Sequence, residues 1–391
     1  MWYNGLLGLS WLQLAGVALV LTHITIVSVT LYLHRHSAHN SLELHPVLRH
    51  FFRFWLWLTT SINTKEWTAI HRKHHATCET ENDPHSPVVK GIRKVLLEGA
   101  ELYAEAATPE TLERFGKNTP DDWIERNLYT RHRNLGITLM FALNLLLFGV
   151  HGIWMWAVQM IWIPVWAAGI VNGLGHYLGY RNFECRDNAR NIVPLGIIIG
   201  GEELHNNHHT YPNSSKLSRR WYEVDIGWGY IRLFQLFGLA KPKGYRPIVH
   251  WVPGKQEVDV DTVQAIANNR FDIMRQYRKK VMEPVLRQHK SLMDDTIRPR
   301  YRRVKKLLSR ESSLIRPQEQ VHLDTVLETH PVLRQIYDMN HELQALWRRR
   351  GLKPQDKLQA LMAWCRDAEA SGIRYLEDFA AHLRAYSLSP S

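Results

Sequence analysis

Residues Leu14 to His39 read LAGVALVLTHITIVSVTLYLHRHSAH, an apolar run that ends directly in a cluster of histidines. The first 33 residues contain no Lys, Arg, Asp or Glu. A stretch of that length crosses a bilayer once and is too short to cross twice. It has neither a basic n-region nor a small-residue cleavage site, so it reads as a retained span. Apolar sequence and histidines meet again at His71–His75, HRKHH, and at His205–His209, HNNHH. Both later clusters have the spacing H-x-x-H-H. Residues at i, i+3 and i+4 share one helix face, so each cluster can aim three imidazoles at one point. Neutral imidazole is the commonest protein ligand for zinc, copper and iron. His34, His39, His71, His74, His75, His205, His208 and His209 are too many donors for one catalytic zinc, which takes three protein ligands and keeps an open position. They suit two metal ions. The isolated histidines among the 22 in the chain, such as His23, His45 and His151, read as ordinary surface or core residues.

A second apolar region runs from Asn134 to Gly175 without a formal charge and is interrupted at His151-Gly152. It predicts two spans joined by a tight turn, with aromatic residues near that turn at the interface. Two shorter apolar pieces, Phe51–Ile62 and Ile192–Gly201, cannot span. They predict helices lying at, or dipping into, the membrane surface. With three spans, all three histidine clusters fall on one side. Arg35, Arg49, Lys65, Arg72, Lys73, Lys90, Arg93 and Lys94 lie on that side, which places it in the cytoplasm.

The fold expectation is therefore all-α. Residues 1–250 form an integral-membrane helical domain, with about three spans, interfacial helices and a cytosolic cap that carries the histidines. From about Lys255 no run is apolar enough to enter a bilayer. Ile266, Ile273, Tyr277 and Val281, and later Leu376, Phe379, Leu383 and Tyr386, recur at helical spacing. Arg298-Pro299, Arg316-Pro317 and Arg350-Gly351 punctuate the series. Residues 255–391 thus read as a soluble helical extension. The net charge of +12 is explained by a basic membrane face, and nucleic acid is not an expected partner. Cys78, Cys185 and Cys365 form no C-x-x-C pair, and no glycine-rich nucleotide loop or iron–sulfur motif is present.

The clusters, in this order and context, resemble the histidine boxes of the integral-membrane fatty acid desaturases, in a bacterial form of the acyl-CoA (stearoyl-CoA, Δ9) branch. HRHSAH resembles the first box. EWTAIHRKHHATCETENDPHSP resembles the second with its following D-P-H, and HNNHHTYP resembles the third. NGLGH, Asn172–His176, resembles an N-x-x-x-H in the last membrane helix, which implies His176 as a further ligand and Asn172 as a ligand through water. The likeness covers about Leu31 to Pro242. Only one span precedes the first box where the animal enzymes have two, and those enzymes have no counterpart of the extension. Within it, WCRDAEASGIRYLEDFAAHL resembles helical tails of insertion-sequence transposases, without their acidic catalytic triad.

Removing hydrogen from an unactivated methylene needs an oxidant that redox-inert zinc cannot supply and that iron with O₂ can. Carboxylates are absent from the box positions, so an all-nitrogen site for two iron ions (Fe2+/Fe3+) is expected, with O₂ as co-substrate. The resemblance implies a saturated long-chain acyl group desaturated at Δ9 and carried on CoA. An acyl-phospholipid substrate, or a related membrane di-iron hydroxylase, is the alternative. Trp67, beside Glu66, is expected to line the mouth of the acyl slot. An external reductase or small redox carrier is expected to dock on the basic surface around Arg72, Lys73, Lys90, Arg93 and Lys94. The location implied is the inner (cytoplasmic) membrane.

Overall fold

The computed structural model of the chain describes residues 3–243, 249–289, 301–348, 351 and 353–388. It divides into two compact units, Met1–Arg181 with Asp187–Tyr245, and Asn182–Arg186 with Arg246–Ser391. Both are mostly helical. The Arg298-Pro299 break and Arg350 lie outside the described residues.

In the first unit α1 spans Trp11–Ser28, capped by the reciprocal Ser10–Gln13 pair, and continues without a break as a π-helix over Val29–Ala38. Together they form one apolar helix of 28 residues, Trp11–Ala38. Its polar side chains satisfy themselves locally; the Thr22 hydroxyl, for example, donates to the Ala18 carbonyl at 2.8 Å. Helix α2, Pro46–Thr60, begins on a proline at its first turn and stops where Ser61 turns left-handed, φ 58°. Asn63 then caps α3, Thr64–Thr77, by accepting from the Lys65 and Glu66 amides at 2.9 and 3.2 Å.

The uncharged region beginning at Asn134 folds as a hairpin of α4, Leu135–Phe148, and α5, His151–Ile163. Gly152 lets the two arms close, since a Cβ there would sit 2.2 Å from the Asn144 carbonyl oxygen. At Pro164, which has no N–H to donate, α5 loosens into a π-turn that runs to Val171 and on through Asn172–Leu174. His151–Leu174 and Trp11–Ala38 are the two helices long and apolar enough to cross a membrane among the described residues. Helix α4 has 14 residues and covers about 21 Å at 1.5 Å per residue.

One sequence expectation fails here. Ile192–Gly201 is not a helix lying at the membrane surface. Pro194 and Gly196 break helical hydrogen bonding, Leu195–Gly196 pairs in parallel with Val224–Asp225, and Gly200 and Gly201 turn at φ 70° and 102°. The glycine at 201 is required, because a Cβ there would lie 2.4 Å from the Asp225 Oδ1. Helix α6, His205–Thr210, follows this turn, and α7 is Ile226–Leu236.

Leu31, Leu33, Phe52, Leu56, Ile163, Val171 and Ile199 share one buried core, which joins α1, its π-helical continuation, α2 and α5. Arg53, the only charge in Phe51–Ile62, is buried. Its guanidinium donates to Asp122 at 2.6 and 3.0 Å and to Glu125 at 2.8 Å.

The second unit has its own core. Ile266, Ile273, Tyr277 and Val281 are all buried in it, as are Leu376, Phe379 and Leu383. Tyr277 donates to the Ile336 carbonyl at 2.7 Å, and Trp364 to that of Met339 at 2.8 Å. Pro317 opens the helix Pro317–Thr329. An antiparallel pairing of His250–Trp251 with Tyr386–Ser387 joins the first described strand of this unit to its last.

Removing one partner of a buried ion pair strands the other charge, at about 3–5 kcal/mol. Arg53→Ala therefore lowers the thermal unfolding midpoint in detergent substantially, because Glu125 stays buried. Asp122→Asn lowers it little, because Asp122 is 45% exposed. Equal midpoints for Arg53→Ala and wild type would show that the charge cluster does not hold α2.

Candidate metal centre

The first histidine cluster lies on the π-helix, the second on α3 and the third on α6. On an α-helix, residues five apart point about 140° away from each other. The π-helix removes that divergence. The His39 amide donates to the His34 carbonyl at 3.0 Å, an i→i+5 bond, and the two rings come within 4.8 Å, centroid to centroid. Arg35, between them, is buried and donates to Asp225 at 2.8 Å and to the Ser215 carbonyl at 2.8 Å. Arg72 ties the second cluster to the first, donating to the Ala38 and Ser37 carbonyls at 2.9 and 2.8 Å and to the Phe115 and Lys117 carbonyls at 3.0 and 2.7 Å. Arg72 is thus part of the scaffold. Lys73 donates to Thr111 at 3.2 Å, while Arg93 and Lys94 remain exposed.

The histidines converge as two groups. In each of His34/His39/His71/His208 and His74/His176/His205/His209, the candidate ligand nitrogens lie within 4.8 Å of one another. His75 joins the groups, being within that range of both His208 and His209. Nitrogen faces nitrogen: Nε2 to Nε2 is 3.0 Å for His34–His208, 2.8 Å for His39–His71, 2.9 Å for His75–His208 and 3.0 Å for His176–His205.

In four of the histidines the Nδ1 nitrogen meets a carboxylate. His34 Nδ1 is 2.7 Å from Glu202, His74 Nδ1 2.9 Å from Asp83, His176 Nδ1 3.3 Å from Glu79 and His209 Nδ1 3.1 Å from Asp187. A carboxylate on Nδ1 holds the proton there and leaves Nε2 as a bare lone pair. The Nε2 atoms of His74 and His209 are buried without a hydrogen-bond partner. Orphaned acceptors in a dry interior are costly, and a cation bound among them satisfies them. The donor set fits a metal.

Burial, followed by the neighbouring imidazoles, holds His39, His71, His75, His205, His208 and His209 well below the ordinary histidine pKa. They are neutral, as ligands must be. Burial disfavours charge on Asp83 and Glu202, yet His74 and His34 pull these carboxyls below their usual range.

A cavity of about 310 Å³ opens from these histidines. His34, His71 and His205 contribute to its wall, together with Ile26, Ile163, Val171 and Ile199. Trp67 lines it as well, stacked on His71 at 4.8 Å with 11° between the planes, so it stands beside the histidines. Asn172 also lines the cavity. The four carboxylates are not apparent from the box spacings, nor is His85, whose ring lies 4.4 Å from that of His74. The available signals were the D-P-H after the second cluster and Glu202 just ahead of the third.

The depressed histidine pKa values set a sign. Below the ordinary value of 6.5 the unfolded chain takes up protons that the folded metal-free chain refuses, so folding stability falls as pH falls. Melting curves of chelator-treated protein should show the midpoint dropping from pH 7.5 to pH 5.5. A midpoint that is flat or rises over that range would contradict neutral burial of the cluster.

Residues 9–232 match the family model described as fatty acid desaturase, and residues 262–388 match one described as transposase. Among curated relatives, an sn-1 stearoyl-lipid 9-desaturase of Synechocystis sp. is 32% identical over 241 residues, covering 59% of this chain and 72% of the relative. An sn-1 stearoyl-lipid 9-desaturase of Anabaena variabilis is 30% identical over 236 residues, covering 59% and 84%. The Delta-9 acyl-lipid desaturase 1 of Arabidopsis thaliana is 27% identical over 231 residues, covering 57% and 73%. The first match takes in all three histidine clusters and more than half of the sequence: the chain belongs to the fatty acid desaturase family, and its activity is that of an oxidoreductase acting on fatty acyl groups.

Proposed function

We propose that the protein introduces a Δ9 double bond into a saturated long-chain acyl group carried on a membrane lipid, using two iron ions and O₂. The observation that carries this reading is the pair of converging imidazole groups opening on an apolar cavity. His34, His39, His71 and His208 would hold one iron, His74, His176, His205 and His209 the other, and His75 lies between. Asn172 would act through water. Iron bound there supplies, with O₂ and two electrons, the power to oxidise an unactivated methylene pair to an alkene.

The chain's own residues do the rest. Ile26, Ile163, Val171 and Ile199 give an acyl chain a dry path to the histidines and exclude water from it. Glu202, Asp83, Glu79 and Asp187 keep the Nδ1 protons in place, so that the opposite nitrogens face the centre. An external electron carrier is the required partner, and exposed Arg93 and Lys94 suit an acidic one.

In the membrane, α1 with its π-helical continuation and α5 with its continuation are the two full-length spans, the shorter α4 completes a third pass, and the histidine side faces the cytoplasm. Insertion is in the inner membrane. The relatives named as acyl-lipid 9-desaturases favour a lipid carrier. A CoA thioester is the second reading, favoured by the cationic group Lys90, Arg93 and Lys94 at the cytoplasmic face.

Iron-loaded protein in vesicles, given a stearoyl glycerolipid or stearoyl-CoA with O₂ and a reductant, should form an oleoyl product from the glycerolipid, with the double bond located by mass spectrometry. His74→Ala and His208→Ala should each lose bound iron and all turnover. A hydroxylated product, or normal iron content and turnover in both variants, would overturn the proposal; product from stearoyl-CoA alone would move the carrier to CoA.

A further inference from the structure

Tyr103 stands in the helix Gly99–Ala106 and lines the cavity between Ala100 and Ala104. Its hydroxyl is buried and has no hydrogen-bond partner. A buried hydroxyl left unpaired costs free energy, and in a native structure it calls for an explanation. Arg133 and Glu66 lie close enough to act electrostatically on it. Arg133, itself a cavity residue, is 44% exposed, so here the cavity meets solvent. Its guanidinium is already engaged: it donates to Glu66 Oε1 at 3.1 Å and to the Ser61 carbonyl at 2.9 Å, and its other terminal nitrogen lies 2.9 Å from Glu66 Oε2. A fork closed on a carboxylate is a neutral rim, poorly suited to capturing a phosphate. Burial and Glu66 both keep Tyr103 in its protonated, donating form. Tyr103 thus lines the cavity with its buried hydroxyl an unused neutral donor within electrostatic reach of the exposed arginine, while the oriented histidines stand at another part of the wall.

We infer that the Tyr103 hydroxyl donates a hydrogen bond to the ester carbonyl of the acyl chain. This inference rests on the proposed function. An ester carbonyl is a neutral acceptor at the head of a long apolar chain, which is the chemistry this pairing of hydroxyl and apolar wall recognises. Fixing the carbonyl at the rim fixes how many methylenes lie between the rim and the histidines. Tyr103 is thus a substrate-positioning residue that sets where along the chain the double bond falls.

The test compares wild type and Tyr103→Phe, as full-length iron-loaded protein in vesicles, on a stearoyl ester lipid and on its octadecyl ether analogue, which lacks the carbonyl. The expected wild-type result is an apparent KM about five- to tenfold lower for the ester than for the ether, the worth of one hydrogen bond. Tyr103→Phe should raise the ester KM to the ether value, leave the ether KM and kcat unchanged, and spread the double bond to neighbouring positions. If wild type turns over the ester but Tyr103→Phe matches it in KM and in double-bond position, Tyr103 is not the anchor and the proposed function stands. If wild type forms no alkene from either lipid, the proposed function fails and this inference with it. Should Tyr103→Phe not fold, wild type alone decides, because equal KM for ester and ether overturns the assignment.

Discussion

Imidazoles can be packed this closely in a dry interior only while they stay uncharged and their lone pairs have something to face. Each protonation would place a bare cation among neighbours that are themselves cations in waiting, which is why burial and mutual proximity both depress their pKa values. Uncharged is not sufficient, because an imidazole can present either nitrogen. The carboxylates Glu202, Asp83, Glu79 and Asp187 resolve that choice for His34, His74, His176 and His209. These carboxylates are in turn acceptable in the interior because the imidazoles meet them.

The rest of the first unit follows from that constraint. The first cluster sits at the end of an apolar helix, and its pair converges only because the helix widens there. Arg35 and Arg72 then spend their charge inside the scaffold, on Asp225 and on backbone carbonyls, and so fix the π-helix against α3 and the turn before α7. The apolar wall beside the imidazoles, to which Trp67 and Val171 belong, also lines the cavity.

The second and third clusters were legible because α-helical spacing alone puts His71, His74 and His75, or His205, His208 and His209, on one face. His34 and His39 were legible as a cluster, but the way they meet was not, since α-helical periodicity drives them apart and no composition rule announces a π-helix. The orienting carboxylates were hidden for another reason: Glu202 lies 168 residues from His34 in sequence, and a tertiary partner leaves no local pattern. Ile192–Gly201 misled because its apolar content outweighed Pro194, Gly196, Gly200 and Gly201, which forbid the helix that the composition suggests. Arg72 misled in the opposite sense, since a charge beside a site reads as a docking residue until its carbonyl partners are seen. In the second unit, Ile273, Tyr277, Phe379 and Leu383 were readable as buried faces, because a soluble helix that packs on one side must repeat its apolar residues on that side.

The central claim is an all-imidazole centre built for two irons. Its most direct test is the iron content of the full-length, iron-loaded protein, measured together with its X-ray absorption spectrum. The account predicts two irons per chain, with a nearest shell of nitrogen and oxygen atoms and the outer-shell scattering typical of imidazole rings. One iron per chain, or a spectrum without imidazole scattering, would contradict it.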